Sequence, residues 1–103
     1  MTGYDFHPEA RLDLDELWEF IRADNLDAAD RMIAEILAAI AALVPFPGQG
    51  HRRPHLTSCP LRFIFVREYL IAYAPEEKPL WVVAVMHGRR SPRVMAAILR
   101  GRE

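Results

Sequence analysis

What the 103-residue sequence lacks excludes several classes of protein. Cys59 is the only cysteine, so no internal disulfide can form and a cytoplasmic location is expected. No apolar run reaches the roughly 18 residues that a membrane-spanning helix needs. The first residues carry acidic side chains and lack the basic start and apolar stretch of a signal peptide. We therefore expect a cytoplasmic protein that is not associated with a membrane.

Motifs for metal and cofactor binding are also missing. His51 and His55 are separated by two arginines and a proline, so they do not share a helix face, and the guanidinium groups would repel a cation. Cys59 has no neighbouring motif that would orient it as a nucleophile. The glycine-containing stretch PGQG lacks the strand–helix context of a phosphate-binding loop. We expect no metal and no cofactor.

Charge is distributed unevenly along a chain of globular composition. Residues 1–50 carry ten acidic side chains and three arginines, whereas residues 51–103 carry ten basic side chains and four acidic ones. The acids of the first half are also explained by the solvent faces of helices. The basic second half favours an anionic partner for one surface.

Apolar spacing predicts two helices near the N-terminus. Pro8 suits the first position of one helix, which ends near Asp24. Leu12 points away from its apolar stripe and Phe20 lies at the edge. The second helix keeps helical spacing over five turns and stops at Pro45. A connection this short predicts an antiparallel hairpin. The residues of the first stripe are Ala10, Leu14, Leu17, Trp18 and Ile21.

The rest of the chain changes to the period of β-strands. Residues 61–67 and 69–74 predict a tight hairpin, and residues 80–87 predict a central strand that is apolar on both faces. Ser91 can cap a last helix and Gly101 can end it. With a short strand at the start, the order β-α-α-β-β-β-α indicates a fold of the α+β class.

Five segments, in this order and spacing, carry a resemblance to a known family. They are PEARLDLDELWEFI, AADRMIAEILAAIAALVPFPG, LRFIFV with Arg62 at its head, YLIAY and VMHGRRS. Together they resemble the RelE/ParE superfamily, the toxins of bacterial type II toxin–antitoxin modules, and the last segment is similar to the ParE (plasmid stabilisation) branch. The resemblance implies a single toxin domain over residues 1–103. It implies an N-terminal strand, a helical hairpin, three further antiparallel strands and a short C-terminal helix.

The two branches of the superfamily imply different activities. ParE-like toxins inhibit DNA gyrase without nuclease activity, and both branches form hetero-oligomers with a cognate antitoxin, here ParD-like. RelE-like toxins cleave mRNA on the ribosome, and Arg62, His87 and Arg90 would be the residues for that reaction. The tyrosine expected in the C-terminal segment is missing, since no tyrosine follows Tyr73. A gyrase inhibitor is therefore favoured. An mRNA endoribonuclease and a co-regulator within the complex remain alternatives.

Two sets of residues are predicted to bind partners. Arg89, Arg90 and Arg93 follow the last strand and would contact the target, with Arg100 and Arg102 extending the same positive region. Leu12 and Phe20 would contact the antitoxin. Because one layer of helices cannot cover both faces of the strand at 80–87, a segment of the antitoxin is expected on the second face.

Structural roles for the same residues stay open at this stage. Arg62 could pair with an acidic residue of a helix at the sheet edge, and His87 could bond a nearby carbonyl. Gly88 would serve a tight turn that needs a positive φ. The arginines of the turn could simply be solvated.

Overall fold

The elements follow the predicted order in the computed structural model, which describes residues 3–102. This part of the chain forms an α+β fold with a four-stranded mixed sheet, as the sequence predicts. The elements are β1 (Tyr4–Phe6), α1 (Pro8–Arg22), α2 (Leu26–Leu43), β2 (Arg62–Val66), β3 (Tyr69–Ala74), β4 (Leu80–His87) and α3 (Pro92–Arg100). A short 3₁₀ turn lies at Pro47–Gln49.

The helices begin where the sequence places capping side chains. Asn25 accepts a hydrogen bond of 3.0 Å from the backbone N–H of Ala28 at the start of α2. Ser91 accepts one of 3.2 Å from Val94 at the start of α3. His7 caps α1 with its ring nitrogen. Such caps satisfy amides that have no partner within the helix and are each worth about 1 kcal/mol.

The sheet has the strand order β1-β4-β3-β2. β1 runs parallel to β4, and the other neighbours are antiparallel. β4 is central, as predicted. Along β3, Tyr69 lies opposite His87 on β4, and Tyr73 lies opposite Arg62 on β2.

The turn between β2 and β3 is tied to the helical hairpin. Arg67 takes a positive φ of 52° there, a conformation that non-glycine residues seldom adopt. Its Nε donates a hydrogen bond of 2.8 Å to Oε2 of Glu35 on α2. This contact lowers the pKa of the Glu35 carboxyl and raises that of the Arg67 guanidinium.

Both faces of the sheet are covered by the chain itself. α1 and α2 pack on the first face, with Ile36 and Ile40 fully buried. On the second face, Met95 and Leu99 of α3 join Leu56 of the loop after α2. Other buried members of this second cluster include Phe63, Ala84 and Met86. The expectation that an antitoxin segment covers the second face is therefore wrong, because α3 and the loop already fill it.

The loop after α2 is held to β3 by buried Tyr73. Its hydroxyl donates to the carbonyl of Pro47 at 2.7 Å and accepts from the N–H of Gly50 at 2.9 Å. A Cβ at Gly50 would lie 2.6 Å from that hydroxyl oxygen, so only glycine fits here. Arg62 donates to the carbonyl of Gly50 at 2.7 Å. Burial raises the pKa of the Tyr73 phenol.

An ion pair covers the edge of β4 that β1 leaves open. β1 ends at Phe6, opposite Val82, so beyond Val82 the edge of β4 that faces away from β3 has no strand beside it. The Asp13 carboxylate accepts from the N–H of Val85 at 3.0 Å, and Arg102 donates to the carbonyl of Val83 at 3.2 Å. Nη2 of Arg102 also donates to Oδ1 of Asp13 at 2.9 Å. The Arg102 side chain is 10% exposed, so the prediction that it extends the positive surface is wrong.

Removal of either partner of this ion pair should destabilise the fold. We expect Asp13→Ala and Arg102→Ala each to lower the free energy of unfolding by about 3 kcal/mol, because the remaining charge stays partly buried. The double variant should lose less than the sum, since the two residues share one interaction. Denaturant unfolding measures all three.

A matched control is the exposed pair of Arg11 and Asp5, which are 2.8 Å apart with side chains 64% and 47% exposed. Its replacement should change stability far less than replacement of Asp13 or Arg102, since water screens the pair. Equal losses for the two pairs would contradict the proposed role of Asp13 and Arg102.

Replacement of Tyr73 by Phe should also destabilise the protein. The change leaves the Gly50 N–H and the Pro47 carbonyl without their partner, and we expect a loss of about 1–3 kcal/mol at neutral pH. Because folding raises the pKa of this phenol, its contribution is present below the unfolded pKa and is lost as pH rises through the folded pKa. The variant should therefore lose less stability than the wild type in alkali. Folding also raises the pKa of the Tyr69 phenol, which is present in both proteins, so both lose some stability in alkali. Melting temperatures across alkaline pH provide the measurement.

Candidate functional site

The turn between β4 and α3 is locked onto the turn between β2 and β3. The N–H of Gly88 donates to the carbonyl of Glu68 at 2.7 Å. Nδ1 of His87 accepts from the N–H of Arg89 at 3.0 Å, and its Nε2 lies 3.2 Å from a carboxylate oxygen of Glu68. Since Nδ1 accepts, the proton on Nε2 faces Glu68. His87 thus bonds an amide and a carboxylate, and the expected bond to a carbonyl is wrong.

Gly88 allows a close approach between two turns and does not take a positive φ. Among the glycines of residues 3–102, a positive φ occurs at Gly3 and not at Gly88, so the predicted reason is wrong. A Cβ at Gly88 would lie 3.0 Å from both the carbonyl oxygen of Glu68 and the ring of Phe65. The turn can reach the β2–β3 hairpin because this side chain is absent.

The three predicted target-binding arginines surround this locked turn. Arg89, Arg90 and Arg93 are all exposed, and none of them forms an ion pair within residues 3–102. The backbone N–H of Arg90 donates to the carbonyl of His87 at 3.1 Å, which fixes the chain while the side chain stays in solvent. Rigid backbone with solvated guanidinium groups suits a surface that binds an anionic partner.

Two of the three residues of the alternative nuclease site lie together, and the third is distant from them. His87 and Arg90 line one groove of about 290 Å³. Arg62 lies opposite Tyr73 of β3, whereas His87 lies opposite Tyr69 of the same strand. The four-residue separation of these two positions places Arg62 about 13 Å from His87 along the strand direction. Arg62 holds the carbonyl of Gly50, so the expected acidic partner on a helix is also wrong.

The two predicted antitoxin-binding residues lie on one ridge of α1. Leu12 is 55% exposed and Phe20 is 76% exposed, and Glu16 stands between them at helical spacing. Phe20 borders the groove of about 290 Å³ and a larger one of about 700 Å³ between the helical hairpin and the β2–β3 turn. Met32 and Tyr69 line the larger groove, which the sequence did not indicate, because distant segments build it.

Two further features of residues 3–102 bear on function. No group of three His, Cys, Asp or Glu side chains in this part of the chain is placed to hold a metal ion. None of the helices described here has the length and apolar character to cross a membrane.

A comparison with protein families matches residues 4–92 to the family described as the ParE toxin of type II toxin–antitoxin system, parDE. The match covers most of the chain and stops at the first residue of α3. The chain therefore belongs to the ParE toxin family and is a toxin of a type II toxin–antitoxin system. Among curated proteins, no match was found.

Substitution of Gly88 by Ala tests the locked turn. The new Cβ meets backbone and an aromatic ring, and we expect a loss of about 1–3 kcal/mol in the free energy of unfolding. Gly48→Ala is the control, because nothing lies within 4 Å of a Cβ there. The control should be neutral or stabilise by up to about 1 kcal/mol. Thermal unfolding of both variants measures the difference, and equal melting temperatures would count against the close approach.

Proposed function

We propose that this ParE-family toxin inhibits DNA gyrase and is neutralised by a cognate ParD-like antitoxin. The observation that carries the first part is the turn at residues 87–90. Its backbone is fixed by Glu68 and His87, and it presents Arg89 and Arg90 to solvent next to Arg93 on α3. A rigid set of unpaired cations loses little conformational freedom of its backbone on binding.

The state of the candidate nuclease residues supports inhibition by binding rather than RNA cleavage. General acid–base catalysis needs a side chain that can exchange a proton with the substrate. Both ring nitrogens of His87 already have partners within the protein. Arg62 is bonded to Gly50 and lies far from the turn along the strands. mRNA cleavage would require these contacts to break.

Purified toxin should inhibit negative supercoiling by DNA gyrase. The triple variant Arg89→Ala, Arg90→Ala and Arg93→Ala should need at least about tenfold more protein for the same inhibition, since loss of a charged contact at an interface costs about 2–5 kcal/mol. A matched triple variant replaces Arg11, Arg22 and Arg31, which changes the net charge equally from the helical hairpin. It should inhibit like the wild type.

One combination of results would contradict inhibition of DNA gyrase. Site-specific mRNA cuts in a translation reaction, together with normal supercoiling, would identify a RelE-like endoribonuclease instead.

Melting temperatures of both triple variants should stay close to that of the wild type, because exposed arginines contribute within about 0.5 kcal/mol.

The antitoxin is proposed to cover the ridge formed by Leu12, Glu16 and Phe20. Because α3 and the loop already cover the second face of the sheet, this ridge and its two grooves are the apolar surface best suited to the antitoxin. Phe20 stands between the grooves, and buried aromatic residues commonly dominate protein interfaces. A tail that folds on binding could fill both grooves.

Phe20→Asp should weaken binding of the antitoxin by at least about tenfold, because an aromatic anchor at an interface is worth about 2 kcal/mol or more. Phe46→Asp is a matched control, since Phe46 is 68% exposed and lies beyond the end of α2. Both changes should leave stability nearly unaltered. Titration of purified antitoxin into each purified variant measures the affinity. Equal antitoxin affinity for the two variants would show that Phe20 is not part of the interface.

A further inference from the structure

Two strongly basic segments contain the loop and the helix that cover the second face of the sheet. Residues 51–66 and 88–100 contain seven arginines and no acidic residue. Arg62 is bonded to the carbonyl of Gly50 and is part of the packing. The other six make up what we call the basic face: Arg52, Arg53, Arg89, Arg90, Arg93 and Arg100.

Direct contacts join these arginines into one surface. The guanidinium carbon of Arg53 lies 5.4 Å from the centre of the Phe65 ring. The edge of that ring packs under Gly88, so the loop meets the locked turn through Phe65. At the other end, Arg100 and residues 54–58 of the loop line a depression of about 320 Å³. The basic face therefore runs from the turn across the loop to the end of α3.

Among residues 3–102, no acidic side chain is paired with the basic face. None of its six arginines forms an ion pair within residues 3–102, whereas Arg11, Arg22, Arg67 and Arg102 do. Nε of Arg53 is buried and has no hydrogen-bond partner in this part of the chain. Glu68, in the turn that packs against Gly88, is directed to His87. Asp13 and Glu16 line the groove of about 290 Å³ together with Arg90, but neither forms an ion pair with it. An external anion would neutralise the exposed guanidinium groups.

We propose that the basic face binds the phosphate backbone of duplex DNA without reading its sequence. Guanidinium groups match phosphate in geometry and charge. Arg93 and Arg100 are two turns apart on one side of α3, about 10.5 Å along the helix axis, so they can contact different phosphates of the backbone. This binding is a property of the toxin alone and does not require gyrase.

The surroundings of Phe65 favour a duplex over a single strand. Single-stranded nucleic acids bind through aromatic rings on which their bases stack. Phe65 is 55% exposed, but Arg53 lies over the ring and Gly88 packs against its edge. The arginines are spread over a turn, a loop and a helix rather than gathered at a pocket for a base. Contact with phosphates alone fits this arrangement.

The expected affinity is low and depends strongly on salt. Sequence-independent contacts of this kind have dissociation constants of about 1–100 µM near physiological salt. With four to six phosphates contacted, the logarithm of affinity should fall with the logarithm of salt with a slope of about −4 to −5. The acidic helical hairpin is repelled by DNA and would orient the toxin with the basic face toward it.

Binding can be measured by fluorescence anisotropy of a labelled duplex of about 20 base pairs, at salt between about 50 and 200 mM. Arg52→Ala with Arg100→Ala should weaken binding about tenfold and reduce the salt slope by about two. The control replaces Arg22 and Arg31, which removes the same charge from the helical hairpin. It should change affinity by less than twofold. Circular dichroism confirms that both double variants are folded.

Three results would overturn the proposal. They are equal losses in the two double variants, no binding of duplex by the wild type at about 100 µM and low salt, and tighter binding of single-stranded RNA of equal length. The supercoiling assay separates this proposal from that of gyrase inhibition. Inhibition without binding of free duplex refutes the DNA contact alone, and duplex binding without inhibition refutes the gyrase target alone.

Discussion

Two strands that are buried on both faces impose the plan of this structure. β3 and β4 carry apolar side chains on both sides, and residues such as Ile71, Ala72, Val82 and Ala84 are fully buried. A sheet of this kind needs a layer on each face, because exposed apolar area costs about 25 cal/mol per Å². The helical hairpin provides one layer, and the second must be assembled from the loop after α2 and from α3. The surfaces that we propose for the partners are the outer sides of these two layers.

The open edge of β4 determines how α3 is joined to the rest. β1 is too short to pair with the whole of β4, and unpaired backbone groups at a sheet edge invite association with another chain. Asp13 from α1 and Arg102 from beyond α3 satisfy Val85 and Val83 in place of a strand. The same ion pair links the C-terminal segment to α1. It therefore protects the edge and also fixes the helix that bears Arg93 and Arg100.

The two layers have opposite charge. The acidic hairpin carries the ridge of Leu12 and Phe20, which we propose for the antitoxin, and the opposite layer carries the basic face. Because the two proposed surfaces are separate, the antitoxin could act in two ways. It could cover the region where the two surfaces meet, or it could keep the toxin from reaching an anionic target. Phe20 of the ridge and His87 of the locked turn both line the groove of about 290 Å³ and the groove of about 700 Å³. The two proposed surfaces therefore meet at the locked turn.

The sequence by itself determined the elements, their order and the family. Helical and strand periods, the caps at Asn25 and Ser91 and the apolar strand at 80–87 are local signals, because they depend on backbone preference and on which side of an element is apolar. The exposed positions of Leu12 and Phe20 followed from the same periodicity.

Tertiary structure alone decided what the polar residues do. Arg102 and Arg100 are two positions apart, yet one is paired with Asp13 and the other is solvated. Arg62 holds a backbone carbonyl rather than an acid, and Gly88 is glycine because of a hairpin 20 residues earlier that packs against it. Charged side chains and close approaches are specified by partners that are distant in sequence. No local pattern encodes such partners, because a guanidinium group bonds equally well to a carboxylate, a carbonyl or water.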